Sequence, residues 1–136
     1  MEFKDSQTYK NLQTAYEEKL QNSSKYRIYS DIAKSDGNRQ TSDAFQETSE
    51  DELNYARLWL EQLHMGRVPG TYVNVTDAYQ TEYFDWAQRY TEYADTARKE
   101  GFYDMARLFR WVAEADRYHD FRFEQIAQYL KEGGTF

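Results

Sequence analysis

The sequence predicts an all-α protein in which four helices form a bundle. The chain of 136 residues contains one Pro and six Gly, so residues that end helices or form turns are rare. Residue types that favour helices, such as Glu, Ala, Leu and Lys, are abundant. Apolar residues recur at alternating spacings of three and four, which is typical of a helix that buries one face. We expect one domain over residues 1–136.

The composition excludes several classes of protein. The chain has no cysteine, so disulfides, thiolate metal sites and cysteine nucleophiles are excluded. A net charge of -7 argues against a nucleic-acid groove, and no cluster of basic residues indicates a membrane surface. No apolar run approaches the roughly 20 residues of a membrane span. We therefore expect a soluble, cytoplasmic protein that binds neither nucleic acid nor membrane.

Two helices are predicted in the first half, at about residues 6–36 and 38–64. Asp5 or Ser6 can cap the first helix, and Gly37 ends it. The inner face of the first helix passes through Lys19, and that of the second passes through Glu52. Each helix therefore carries an ionisable residue near its centre.

Two more helices are predicted in the second half, at about residues 76–100 and 102–132. A loop over residues 66–75 contains the single Pro, and Thr76 is expected to cap the third helix. Gly101 separates the third helix from the fourth. The inner face of the third helix carries Glu82 and Asp85. Trp59, Trp86 and Trp111 are interpreted as core or subunit contacts, and His64 as a solvated residue at a helix end.

The two halves repeat at an offset of 64 residues. Such a repeat predicts two related helical hairpins packed with approximate two-fold symmetry. The pairs of matching residues are Tyr26 and Tyr90, Gly37 and Gly101, Phe45 and Phe109, Glu52 and Asp116, and Tyr55 and His119.

Ionisable residues are expected to meet at the middle of the bundle. Several carboxylates in a poorly solvated interior cannot all stay ionised unless a metal, protons or a basic residue neutralises them. Carboxylates with one imidazole suit iron(II) or manganese(II), and suit zinc less well. A Glu on one helix and an acid-x-x-His on the other is the arrangement of di-metal sites in helical bundles. The residues expected to meet are Glu52, Glu82, Asp85, Asp116 and His119, with Lys19 and Tyr55.

Together with their neighbours, these residues resemble the rubrerythrin family of the ferritin-like superfamily. The matching residues are 11–12 with Ala15, 33–34 with Gly37, 45–48, Glu52 with 56–57, 82–85, 97–102, 106–109 and His119. The resemblance implies a ferritin-like four-helix bundle with a non-haem di-iron centre that reduces hydrogen peroxide, using electrons from a rubredoxin. It also implies that Tyr26 and Tyr90 orient the metal-binding carboxylates. Without cysteine, the chain is expected to lack a rubredoxin domain.

The sequence departs from the family pattern at one of the two metals. Lys19 stands where the family has the Glu of the first helix, and Tyr55 stands where it has a His. The residues kept for the other metal are Glu82, Asp85 and His119, with Glu52 and Asp116 as the former bridging groups. We therefore predict an altered, mononuclear site in which the Lys19 ammonium replaces the charge of the lost ion.

Two alternatives concern single residues. The repeat of 64 pairs Glu82 with Glu18, so a one-residue bulge in the first helix would place Glu18 at the site instead of Lys19. Tyr55 can bind iron or form a radical beside it, or can fill the space of a His and donate a hydrogen bond.

Three functions follow from these alternatives. The first is a rubrerythrin-like metal-binding protein with a role in oxidative stress. The second is a working non-haem di-iron peroxidase or oxidase, using Tyr55 or Glu18 as a substitute ligand. The third is a metal-free structural or interaction bundle in which Lys19 neutralises the carboxylates. The expected metal is iron, with manganese or zinc as alternatives.

We expect a homodimer. About 29 Å between the second and third helices would be spanned by ten residues whose full stretch is about 33 Å. This nearly taut connection leaves two arrangements open: a closed monomeric bundle, or a dimer with exchanged hairpins.

Overall fold

The computed structural model describes residues 1–134. The helices are α1 Gln7–Ser35, α2 Arg39–Leu63, α3 Thr71–Phe84, α4 Tyr90–Lys99 and α5 Tyr103–Lys131, with a 3-10 turn at Phe3–Asp5 and a π-helical segment at Asp85–Arg89. The described residues form helices and connections without a strand, which confirms the all-α class. None of the described helices has an apolar stretch sufficient to cross a membrane.

The chain divides into two compact units, one ending at Val68 and the other starting at Pro69. Each unit is a helical hairpin. In the first hairpin α1 packs along α2, and in the second α3 and α4 pack along α5. The boundary agrees with the repeat in the sequence, and the prediction of two related hairpins is confirmed.

The ends of α1 are those predicted. Ser6 caps its first turn, because the Ser6 hydroxyl accepts a hydrogen bond from the Tyr9 backbone N–H at 3.0 Å. Gly37 follows the last turn with φ of 81°, a conformation that glycine adopts without steric cost. The Asn38 N–H donates to the Ala33 carbonyl across this turn at 2.8 Å, so α2 can begin almost at once.

Four buried serines join α1 to α2. Ser30 Oγ donates to the Ser42 carbonyl at 2.8 Å, and Ser42 Oγ donates to the Ser30 carbonyl at 2.9 Å. Ser23 and Ser49 form the same reciprocal pair at 2.8 and 2.6 Å. Direct bonds from side chain to opposite backbone require closely packed helices, which small residues permit. The positions 64 residues later hold Ala87, Ala94, Ala106 and Ala113.

The prediction that Thr76 caps the third helix after a loop over residues 66–75 is wrong. α3 begins five residues earlier, at Thr71, and the Thr76 hydroxyl donates to the Tyr72 carbonyl inside the helix. The first turn is closed by Asn74, whose N–H donates to the Gly70 carbonyl and whose side chain donates to the Pro69 carbonyl. The connection between α2 and α3 therefore covers residues 64–70.

The third predicted helix is also interrupted. Between α3 and α4 the chain takes π-helical geometry over Asp85–Arg89. The Tyr90 N–H donates to the Asp85 carbonyl, five residues back, and the Thr91 hydroxyl donates to the Trp86 carbonyl at 2.9 Å. A π segment holds one more residue than the same turn of α-helix. The fourth predicted helix is observed nearly as expected, as α5.

Candidate metal centre

Three potential metal ligands come together in the second hairpin. Glu82 lies in the last turn of α3, while Asp116 and His119 lie one turn apart at the middle of α5. One ligand atom from each residue lies within 4.8 Å of the other two. The His119 Nδ1 is 3.6 Å from Glu82 Oε1 and 3.7 Å from Asp116 Oδ1. These distances are too long for hydrogen bonds, and the three groups surround a space that a cation could fill.

The surroundings of Glu82 disfavour its ionised form. Burial raises the pKa of Glu82, and a hydrogen bond with Asp116 raises that pKa further. The negative charges of Asp116 and Asp85 act in the same direction, whereas His119 lowers the pKa. Glu82 therefore holds its proton more strongly than an ordinary carboxyl group does. A metal ion bound here would take the place of that proton, so the donor set fits a divalent cation.

The three residues are not equally buried. The side chains of Asp116 and Glu82 are 14% and 24% exposed, but that of His119 is 53% exposed. The expectation that Asp116 and His119 meet in a poorly solvated interior is therefore correct for Asp116 and wrong for His119. Residues three apart on a helix are neighbours but differ in direction by about 60°, so Asp116 can be covered while His119 stays accessible.

Asp85 lies beside this cluster but outside the group of three. It is the first residue of the π segment, and its Oδ1 is 3.3 Å from an Arg89 guanidinium nitrogen. It is close enough to Glu82 to raise the pKa of that residue. Its role as a metal ligand stays a prediction.

In the first hairpin, an ammonium group neutralises the central carboxylate. Lys19 Nζ is 2.7 Å from Glu52 Oε2, and the Asn22 amide donates to Glu52 Oε1 at 3.2 Å. Glu52 is 7% exposed, and both of its oxygens have partners. The hydrogen bond with Glu52 raises the pKa of Lys19. The Lys19 ammonium thus does for Glu52 what a metal ion would do. The role of Glu52 as a metal ligand stays a prediction.

The structure distinguishes Lys19 from Glu18. The α1 helix runs without a bulge from Gln7 to Ser35, Glu18 is exposed, and Lys19 contacts Glu52. The extra residue lies instead in the π segment of the second hairpin. Lys19 and Glu82 are 63 positions apart, whereas Tyr26 and Tyr90 are 64 apart. Lys19 is therefore the counterpart of Glu82, and the alternative that places Glu18 at the site through a bulge in the first helix is wrong.

The tyrosines predicted near the site lie in three places. Tyr55 is 45% exposed, and the Lys19 ammonium is 5.7 Å from the centre of its ring. Tyr26 packs at 6.0 Å from the ring of Phe45, and Tyr90 packs at 5.8 Å from the ring of Phe109. The matching aromatic contacts support the repeat. The roles of Tyr26, Tyr55 and Tyr90 toward metal-binding carboxylates stay predictions.

One polar pair near the site was missed by sequence reasoning. The indole Nε1 of Trp86, in the π segment, donates to Asp120 Oδ2 at 2.8 Å. Asp120 is 5% exposed, so an acidic residue is buried on α5. The signal was its i+4 spacing from Asp116, which places both residues on one face of the helix.

Trp111 is 73% exposed, so it is not a core residue, and His64 is exposed at the end of α2 as predicted.

Comparisons with known proteins identify the family of the chain. Residues 73–135 match the family model described as Rubrerythrin. The chain is 31% identical to the rubrerythrin of Nitratidesulfovibrio vulgaris, over 98% of the chain and 75% of that relative. It is 28% identical to the rubrerythrin of Porphyromonas gingivalis, over 98% of the chain and 72% of that relative. It is also 28% identical to a putative rubrerythrin of Methanocaldococcus jannaschii, over 96% of the chain and 74% of that relative. The chain belongs to the rubrerythrin family.

Proposed function

We propose that this rubrerythrin-family chain binds one metal ion through Glu82, Asp116 and His119. The observation that carries the proposal is the convergence of these three donors within 4.8 Å. Two carboxylates and one neutral imidazole form a set suited to iron(II) or manganese(II). Iron is the metal we propose, because the family resemblance implies an iron centre.

A second ion is not needed in the first hairpin. The Lys19 ammonium and the Asn22 amide already occupy both oxygens of Glu52. A metal would have to displace the ammonium, which already neutralises a carboxylate that is 7% exposed. In the first hairpin, the positive charge of Lys19 therefore balances the negative charge of Glu52, as a metal ion would. This favours a mononuclear protein over the di-iron peroxidase or oxidase.

The alternative of a metal-free structural or interaction bundle explains only part of the charge distribution. In that alternative, Lys19 neutralises the buried carboxylates. The Lys19 ammonium is bound to Glu52, while Glu82 and Asp116 lie together without an ammonium, with one ligand atom of each within 4.8 Å of the other. A divalent cation would neutralise such a pair of carboxyl groups.

When bound, an iron ion would supply one-electron redox chemistry. Glu82 and Asp116 would hold it by their carboxylate oxygens and His119 by a ring nitrogen, and the exposed side of His119 leaves the site open to small molecules. We propose a cytoplasmic homodimer with a role in oxidative stress, and an external electron donor such as a rubredoxin for any peroxidase turnover.

Binding of manganese(II) to two matched variants tests the proposal. Manganese(II) binding is followed by its electron paramagnetic resonance signal. We expect Glu82→Gln to weaken affinity by at least about tenfold, since loss of even a supporting group costs that much. Glu52→Gln makes the same chemical change in the other hairpin and should leave the affinity unchanged. Equal losses in the two variants would contradict a site confined to Glu82, Asp116 and His119.

A further inference from the structure

Trp86 and Asp120 form a buried hydrogen bond next to the metal donors. Trp86 is four residues after Glu82, and Asp120 is four residues after Asp116. The indole–carboxylate bond of 2.8 Å therefore joins the π segment to α5 at the level next to the Glu82–Asp116 contact. Two helices fixed to each other at one level keep a fixed register at the next. The bond is thus placed to control the spacing of the two carboxyl groups.

The surroundings of this bond restrict the indole ring. The Arg117 guanidinium lies 5.6 Å from the centre of the Trp86 ring, and the Tyr83 ring meets it edge-on at 5.4 Å. The other Asp120 oxygen, Oδ1, is enclosed and receives no hydrogen bond from an N–H or hydroxyl group of the described residues. Glu124 lies beside it, and burial together with the Asp120 carboxyl group raises the pKa of Glu124. The indole N–H is therefore the N–H donor that stabilises the Asp120 carboxyl group.

The π segment gives Trp86 its position. Its extra residue shifts the chain between Glu82 and Tyr90 by one position relative to α1. The Thr91 hydroxyl donates to the Trp86 carbonyl, so this backbone oxygen is satisfied although the α-helical pattern is broken. Segments of this kind are frequent at functional sites.

The first hairpin has no counterpart of this bond. The residue that matches Asp120 is Ala56, 64 positions earlier, which is fully buried and has no side-chain group that could accept a hydrogen bond. The bond therefore occurs in the hairpin that brings three metal donors together and is absent from the one that uses an ammonium.

We infer that Trp86 and Asp120 are positioning residues for the metal centre, because their hydrogen bond fixes the distance between Glu82 and Asp116. The inference rests on the proposed metal site. Supporting groups of this kind typically change metal affinity by about 10- to 100-fold.

Binding of cobalt(II) tests the inference. Its absorption spectrum reports coordination geometry as well as occupancy. Trp86→Phe keeps an aromatic ring but removes the N–H, and Trp111→Phe makes the same change at an exposed position of α5. We expect Trp86→Phe to weaken cobalt(II) binding about tenfold and to change the shape of the spectrum. Trp111→Phe should change neither.

The outcomes separate the two proposals. Wild-type affinity or a wild-type spectrum in Trp86→Phe would overturn the positioning role and leave the metal site standing. A wild-type chain that binds no cobalt(II) would overturn both. If Trp86→Phe does not fold, the wild-type protein is titrated with zinc(II) and its indole N–H signals are followed by nuclear magnetic resonance. The Trp86 indole signal should then move with occupancy and that of Trp111 should not; an unmoved Trp86 signal overturns the inference.

Discussion

Lys19 and Glu82 occupy matching positions in the two hairpins and carry opposite charges. Lys19 Nζ lies 2.7 Å from Glu52 Oε2, whereas Glu82 lies beside Asp116, which raises the pKa of Glu82. The first pair is neutral without a ligand. The second pair needs a proton or a cation. One residue in each hairpin thus determines whether a metal is required.

The pH dependence of metal binding follows from Glu82. Its pKa is raised by burial and by Asp116, so its proton persists above the ordinary range of a carboxyl group and must leave when metal binds. We expect manganese(II) affinity to rise with pH through this raised pKa and then to level off. Below that pKa, each displaced proton should cost about tenfold in affinity per pH unit. Titrations at several pH values measure the slope. Glu82→Gln should reduce it, and an unchanged slope would contradict the assignment.

A double substitution should create a metal site in the first hairpin. Replacing Lys19 with Glu and Tyr55 with His would give that hairpin the donor types that the second has at matching positions, together with Glu52. We expect the bound metal to rise by about one equivalent per chain, because three donors would then match the second hairpin. Elemental analysis measures the change. Tyr55→His alone keeps the ammonium and serves as the control; an unchanged metal content in the double variant would contradict the matching of the hairpins.

At the scale of the helices, the two hairpins use different contacts in similar positions. α1 and α2 are joined by reciprocal bonds of Ser30 with Ser42 and of Ser23 with Ser49. The corresponding positions of the second hairpin hold alanines, and the Trp86–Asp120 bond lies nearby instead. In the second hairpin, the Trp86–Asp120 bond is therefore a polar connection between the π segment and α5 that lies close to the metal donors.

The serines should tolerate small residues but not large ones. Ser30→Ala with Ser42→Ala removes both hydroxyls together, and alanines occupy the matching sites of the other hairpin. We expect a change in the free energy of unfolding below about 1 kcal/mol, since both partners are removed. Ser30→Val should cost about 1–3 kcal/mol by overpacking. Urea unfolding measures both. A larger loss in the double alanine variant than in Ser30→Val would show that the hydroxyls dominate.

The fold was largely predictable, because periodic apolar residues and glycines such as Gly37 determine the helices and their ends. The Thr71 start of α3 was not, since Asn74 closes the first turn with a bond that local propensity does not reveal. The π segment was not predicted either. The sequence repeat nevertheless contained a sign of the π segment. An offset of 64 residues pairs Glu82 with Glu18, whereas in the structure Lys19 occupies the position that matches Glu82. The position of the extra residue depends on packing around Trp86 and on the Thr91 hydroxyl.

At the scale of the whole molecule, the two hairpins share the net charge of -7 but differ in the groups at their centres. In the first hairpin Lys19 neutralises Glu52, and in the second a cation would relieve the repulsion between Glu82 and Asp116. The homodimer stays a prediction, as does the exchange of hairpins. The connection between α2 and α3 covers residues 64–70. Light scattering of the purified protein measures directly whether the chain forms a dimer.

One hairpin of this chain is expected to need a metal ion, and the other is not. The most direct measurement is the metal content per chain of protein purified from cells supplied with iron and manganese. We expect about one equivalent, because one carboxylate pair is left for a metal and the other is neutralised by Lys19. Two equivalents, or none, would contradict the account.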